Sequence, residues 1–370
     1  MKLDDLFRRR LVFTVGKGGV GRTTVTVAIA LEAARRGRRV LVVEFEGARG
    51  LEHALAAQRA APSPPPGIDR IEHMVVEGRR ALEEYLALVI PVRRLLRTIF
   101  SSNVYQYFVA AAPGLRELMT VGKIWYEVHR GEQGGEGARD ERGTPPDIVL
   151  VDGPATGHSL QYLRMPRAAA EAFPVGLVHR EAERVWGLLS NAESTAVVVV
   201  STAEEMPANE TAEIYAGLGA LGLPRTLLVV NQVHAAPVRE VELAALRTAL
   251  PAEDAAEGAG DAGGRRGRGG QKRAPADAAK AAAVRLFAEV LKRAEDEAGW
   301  AAINRDNINR LAKTVPLPTV CLPFVFAEEF GAEHVVGLAR VLATELDGGA
   351  RERASRGGRG VVRKLGRGSA

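Results

Sequence analysis

Residues Gly16, Lys17, Gly18, Gly19, Val20, Gly21, Arg22, Thr23 and Thr24 form a glycine-rich run close to the N-terminus. Their types and order approach the phosphate-loop template G-x-x-x-x-G-K-[ST]. In such a loop successive backbone N–H groups converge on phosphate oxygens, with a helix N-terminus behind them, and the glycines let the backbone come close. Thr23 stands where the hydroxyl that ligates Mg²⁺ is expected, while Arg22 occupies the place of the loop lysine. A second constellation is "VDGPATGHSL", Val151–Leu160. Asp152 ends an apolar run, and an aspartate at a strand's carboxyl end can hold Mg²⁺ through water. Thr23 and Asp152 are therefore the expected metal pair. The turn Gly153, Pro154, Thr156, Gly157 and His158 can sense a γ-phosphate and move when it leaves. His158 reads as a hydrogen-bonding switch residue, because no carboxylate or second histidine is spaced to join it as a ligand.

These residues need elements to position them. Leu11–Val15 is a short apolar run, read as a buried strand, and Thr23–Arg36 has helical spacing ending at Gly37. Arg38–Gly47 reads as a second buried strand. Strand, loop, helix, strand implies a right-handed crossover and a parallel sheet. Further strands are expected at Asp147–Gly153, Thr195–Thr202, Arg225–Val233 and Thr314–Pro323, with helical stretches between them. From Glu77 to Arg130 the pattern is helical, broken by Pro91 and by Pro113-Gly114 into about three helices. The predicted fold is α/β: a P-loop NTPase with a doubly wound, mostly parallel sheet and a helical insertion at 77–130.

Composition sets the outer limits. The chain has 370 residues, 46% of them hydrophobic, enough to bury a large core. A formal net charge of +5 is weak support for a nucleic-acid partner. Cys321 is the single cysteine, so neither an internal disulfide nor a paired-cysteine zinc site is available. The N-terminus lacks the apolar stretch of a signal peptide, and no apolar run approaches the roughly 20 residues of a membrane helix. The expectation is a soluble cytoplasmic protein without an integral membrane segment. Residues 253–279 and 347–370 are Gly-, Arg- and Ala-rich and are expected to be a low-complexity insert and a disordered basic tail flanking or interrupting a domain over 1–346.

Lys17 directly after the first glycine makes "GKGGVG" a deviant Walker A loop. Together with "DGPATGH", it resembles the arsenical-pump (ArsA) ATPase family, which includes the ATPases that deliver tail-anchored membrane proteins. "APGLREL" at Ala112–Leu118, "VVNQV" at Val229–Val233 and "LPFVFAEEFG" at Leu322–Gly331 extend the resemblance over nearly the whole chain. MinD and ParA relatives share only the first loop. The resemblance implies that Gly16 to Thr24 cradle ATP phosphates with Mg²⁺ and that Lys17 reaches the nucleotide of a partner subunit. It implies that Asn231 recognises adenine, and that Pro323 and Phe324 belong to a loop closing over the base. It also implies a dimer, homomeric or paired with an ArsA-like paralogue. Apolar positions from Leu86 to Phe100 would either line a groove for a protein client or pack on one another.

Three departures qualify that reading. Arg22 is cationic but longer, planar and forked, so it should hold phosphate; losing one well-placed stabiliser typically costs on the order of 10²–10³ in rate. In the first switch, "EFEGARG" replaces Asp-Pro-x-His. Glu46 is the candidate for positioning the attacking water, Gly47 stands for the proline and Arg49 for the histidine; alternatively Glu44 and Glu46 are a solvated strand-end pair. With one cysteine there is no thiolate cluster for a soft metalloid. The expected function is an ATP-binding dimeric switch that hydrolyses ATP with Mg²⁺, with Lys17, Glu46 and Asp152 as its catalytic residues. The alternatives are a non-hydrolysing subunit paired with an active paralogue, and a MinD/ParA-like partitioning ATPase.

Overall fold

The computed structural model describes residues 1–89, 100, 102, 114–130, 144–154, 157–236, 238–249 and 275–355. It divides into two units, one formed by described residues within 1–232 and 307–363, the other by those within 233–306. In chain order the elements are α1 (Leu3–Phe7), β1 (Leu11–Gly16), α2 (Arg22–Arg35), β2 (Val40–Phe45) and α3 (Gly50–Ala60), then β3 (Ile71–Val76), α4 (Gly78–Val89), α5 (Leu115–His129) and β4 (Ile148–Asp152). They continue with α6 (Gly157–Ala172), α7 (Leu177–Ser190), β5 (Thr195–Thr202), α8 (Glu205–Ala220), β6 (Leu227–Val233), α9 (Glu240–Ala249), α10 (Pro275–Thr314), β7 (Thr319–Pro323) and α11 (Ala332–Ser355).

The first unit is built on a seven-stranded parallel sheet of order β3-β2-β4-β1-β5-β6-β7. Every residue of β1, β2, β4 and β5 is buried, as strands covered by helices on both faces require. This accounts for their uninterrupted Val/Leu/Ile character. On one face α2 and α11 pack together through Ile29, Ala33, Leu338 and Leu342. Arg36, just beyond α2, bridges Asp4 and Asp347, both at 2.5 Å, and Glu32 at 3.3 Å, so one guanidinium ties α1, α2 and α11 together.

The expected strands are present, several with shifted limits. β3 was not anticipated: "IEHMVV" places Glu72 and His73 in an edge strand that is buried only at its ends, so it lacks the apolar run of the central strands. The strand expected over Thr314–Pro323 begins at Thr319, because α10 runs as far as Thr314. Two segments expected to be irregular are partly helical. α10 starts at Pro275, inside the expected 253–279 insert, and α11 continues to Ser355, inside the expected tail. Alanine, arginine and glutamate favour this continuation despite Gly348 and Gly349. The remaining parts of both segments, 253–274 and 356–370, lie outside the described residues.

Of the expected helical insertion, α4 and α5 are described, and 90–99 and 103–113 lie outside the described residues. Leu86 and Phe100 pack with Leu82, Leu115 and Met119, so these two candidate groove positions contribute to a small core. Leu118 joins Ala169, Ala170 and Ala182 in a neighbouring one. Lys123 bridges Glu84 at 2.8 Å and Glu127 at 3.1 Å, pinning α4 to α5. In the second unit, α9 and the α10 residues up to Asp306 are joined by an Arg247–Glu295 ion pair. There His234 donates its backbone N–H to Asn304 Oδ1 at 2.8 Å, and its Nδ1 lies 2.9 Å from Glu297. Among the described residues no helix is long and apolar enough to cross a membrane.

Candidate functional site

The glycine-rich loop joins the buried end of β1 to α2. Gly16 lies so close to β5 that a Cβ would stand 2.2 Å from the Val200 carbonyl oxygen, which no side chain tolerates. Gly19 and Gly21 have φ of 87° and 82°, a left-handed backbone open to glycine. Gly21 caps α2 without any side-chain hydrogen bond, and no acidic residue occupies the helix's first turn. The amide dipoles of the helix start therefore remain available to an anion.

β4 lies directly beside β1, with Thr14 level with Asp152. This pairing brings Asp152 to the loop: Thr23 Oγ1 donates to Asp152 Oδ2 at 2.6 Å, and buried Thr14 donates to Oδ1 at 3.4 Å. Thr14 also exchanges a 2.7 Å hydroxyl contact with Thr26, which locks α2 onto β1. Asp152 is only 8% exposed, and burial pushes its carboxyl above the usual carboxylate range, against the pull of Thr23 and the Arg22 charge. A buried carboxylate beside a threonine hydroxyl is a hard oxygen set, and it suits Mg²⁺ completed by water and phosphate oxygens. Among the described residues no cluster of three or more His, Cys, Asp or Glu could hold a metal by itself.

Arg22 folds back on the loop. Its Nη1 donates to the carbonyl oxygens of Gly16 and Lys17, each at 2.6 Å, and its Nε lies 3.9 Å from Asp152. That Nε is buried without a hydrogen-bond partner, an orphaned donor beside the glycine-rich loop. Burial lowers the Arg22 pKa and Asp152 opposes the shift. Lys17 does not reach outward; its Nζ makes a 2.6 Å ion pair with Glu210 on α8.

The other expected residues fall around this centre. Val20 is buried, and its carbonyl accepts a 3.0 Å bond from Asn231 Nδ2 at the end of β6. Asn231 thus buttresses the loop from behind, and a Cβ on Gly21 would sit 2.3 Å from the same amide nitrogen. Gly153 donates to the Thr14 carbonyl at 3.0 Å, and a Cβ there would lie 2.7 Å from that oxygen. Pro154 accepts a hydrogen bond from Ser159 at the start of α6. Gly157 and His158 begin α6, and Thr156 lies outside the described residues. Gly18 and Thr24 lie in the loop and the first turn of α2 respectively. Glu46 is exposed, its backbone N–H bonded to Val76, and no side-chain hydrogen bond of Glu46 occurs among the described residues. Pro323 closes β7, and Phe324 beyond it packs edge-on against Phe326 with ring centroids 4.9 Å apart.

Thr14, Ser159, Glu210, Glu44 and Gly50 also belong to this region and were not singled out for it by their spacing. Only Glu44 had drawn attention, as half of a solvated strand-end pair. It is 1% exposed.

The parallel sheet, the loop at the β1 carboxyl end and the Thr23–Asp152 contact define the P-loop α/β class. Residues 9–179 match the family described as the anion-transporting ATPase, ArsA. The chain is 30% identical to the ATPase BagA of Mycobacterium tuberculosis over 241 residues, which is 64% of this chain and 68% of that protein. It is 24% identical to an arsenical pump-driving ATPase of Acidiphilium multivorum, over 65% of this chain and 42% of that one. It is also 24% identical to the ATPase get3 of Schizosaccharomyces japonicus, over 44% of this chain and 45% of that one. The chain belongs to the ArsA family of ATPases.

Proposed function

We propose that this protein binds ATP with Mg²⁺ and hydrolyses it as a nucleotide-driven dimeric switch. The observation that carries this reading is the 2.6 Å Thr23–Asp152 contact at the mouth of an uncapped, glycine-rich helix start. The amides of Gly16 to Thr24 receive the phosphates. Thr23 and Asp152 hold the metal ion, which when bound supplies positive charge to the β- and γ-phosphate oxygens. Arg22 turns from the loop carbonyls to the phosphates, and its orphaned Nε gives it a free donor for them. Lys17 leaves Glu210 to reach a partner's nucleotide, so assembly and release of this ion pair are coupled. Gly153 and Pro154, bonded to Thr14 and Ser159, open the switch sequence that continues through Thr156, Gly157 and His158 and reports the γ-phosphate. Glu46 is the candidate for orienting water; it is exposed in the present state, so the first-switch turn has to close for it to act. Asn231 combines loop support with contact to the base, and Pro323 and Phe324 cover it. The dimer is homomeric or formed with an ArsA-like paralogue; a protein client would meet the helical region, and nucleic acid is not an expected partner. A cytoplasmic setting suits this reading.

Arsenical extrusion, stated in the name of the A. multivorum relative, is not proposed for this chain. Cys321 is its one cysteine, and burial, with the Glu345 charge, pushes that thiol up to about 11. A soft metalloid site needs several accessible thiolates.

The test is steady-state ATP hydrolysis over a range of protein concentrations, beside Asp152→Ala. Turnover that rises with concentration and vanishes in the variant supports the switch. Binding without turnover selects the second reading, a non-hydrolysing subunit, which the fold-back of Arg22 and the exposure of Glu46 favour.

A further inference from the structure

Glu44 has no part in the roles assigned so far, yet its carboxylate is among the most buried of the described residues, at 1% exposure. It is the penultimate residue of β2, level with Asp152 on β4 and Val75 on β3. Both its oxygens are engaged. Oε1 accepts the Leu51 N–H at 2.9 Å; Oε2 accepts the Glu52 N–H at 3.4 Å and lies 3.1 Å from His73 Nε2. Leu51 and Glu52 are the second and third residues of α3, whose own N-cap, Arg49, supplies no side-chain hydrogen bond. A carboxylate borrowed from a neighbouring strand therefore caps α3 and complements its dipole.

The end that it caps lies beside Thr23, with little spare room between them. Gly50 is the first residue of α3, and a Cβ there would lie 3.2 Å from Thr23 Cγ2 and 3.4 Å from Thr23 Oγ1. Hydrogen bonds therefore run from His73 through Glu44 to the α3 amides, and the helix start that they fix neighbours Thr23, whose hydroxyl is bonded to Asp152. A local cap at Arg49 would have satisfied the same amides without burying a second carboxylate one strand from Asp152, whose ionisation Glu44 opposes. The fold carries that penalty at the helix start beside Thr23.

We propose that Glu44, held by His73, is a positioning residue: it presses the start of α3 against Thr23 and so sets the hydroxyl for Mg²⁺-dependent nucleotide binding. This rests on the reading of Thr23 and Asp152 as the metal pair. The full chain is compared with Glu44→Ala, Glu44→Gln and Thr23→Val. ADP affinity is measured by calorimetry with Mg²⁺ and with EDTA, and hydrogen exchange is followed at Leu51 and Glu52 without nucleotide.

Glu44→Ala should accelerate exchange at both amides and reduce the gain in ADP affinity due to Mg²⁺ by about tenfold or more, leaving affinity in EDTA unchanged. Glu44→Gln, which keeps an acceptor for Leu51, should recover part of that gain; it carries the test if the alanine variant does not fold. An equal loss with and without Mg²⁺, or no loss in either glutamate variant while Thr23→Val abolishes the gain, overturns the proposal alone. No effect of Thr23→Val overturns the metal-pair reading and the proposal with it.

Discussion

At the scale of single residues, the site is governed by how buried charges are paired. Arg22 is a forked cation placed where a slender lysine is usual, and it spends two of its donors on Gly16 and Lys17 carbonyls. These bonds must break before it can serve phosphate. Arg22→Lys should therefore raise steady-state turnover, by up to about 10²-fold if the arginine is misplaced for the transition state, whereas Arg22→Ala should weaken Mg·ADP binding. Asp152 permits a signed prediction. Burial raises its folded-state pKa, so folding favours the protonated form. Its contribution to stability is then present at low pH and lost as pH rises through the folded pKa. Asp152→Asn keeps the neutral form, so at neutral pH it should match or exceed the parent in Tm while losing the Mg²⁺ effect on nucleotide affinity. Cys321, with its thiol pushed up to about 11, should be nearly inert. At pH 8 about one molecule in a thousand carries the thiolate, against about a quarter of free thiols, so alkylation should be slow until the protein is unfolded.

At the scale of elements, the loop is held in shape from behind. The Asn231 amide touches the Val20 carbonyl and fills the space a Gly21 side chain would need. Asn231→Ala should destabilise by roughly 1–3 kcal/mol through the unpaired carbonyl. Gly21→Ala meets both a left-handed backbone and a clash, and should destabilise by about 1–3 kcal/mol or more. Chemical denaturation of the nucleotide-free protein reads both. If Asn231 served the base alone, its alanine variant would keep full stability without nucleotide and lose only affinity.

At the scale of the whole molecule, the first unit gathers distant stretches of chain around α2. Arg36 joins α1, α2 and α11 through Asp4, Glu32 and Asp347, and these carboxylates raise its pKa despite partial burial. Arg36→Ala leaves Glu32, 2% exposed, with Arg35 as its remaining ion-pair partner. The loss should be about 1–3 kcal/mol in urea unfolding, diminished at low pH once the carboxylates are protonated. Because α2 begins at the phosphate loop and its far end meets α11, the same change should also loosen nucleotide binding slightly. An unchanged midpoint would mean that the apolar contacts between α2 and α11 suffice.

Local pattern determined much of this protein. The apolar runs marked β1, β2, β4, β5 and β6, because a strand buried on both faces has to be apolar throughout. The glycine-rich turn between β1 and α2 was legible because a left-handed backbone at Gly19 and Gly21 and the close approach of Gly16 to β5 restrict residue type at fixed spacing along one stretch of chain. β3 was not legible, since an edge strand half open to solvent tolerates Glu72 and His73. The tertiary structure alone decided which carboxylate is buried. Glu44 and Glu46 are two residues apart and look equivalent in sequence, but strand alternation cannot say which of them meets a helix end. The start of α3 brings its Leu51 amide to Glu44 and leaves Glu46 exposed. The partners of Lys17 and Asn231 are equally non-local, because Glu210 lies on α8 and Val20 belongs to the loop after β1. Such pairings arise only when the sheet order β4-β1-β5-β6 brings separated strand ends side by side.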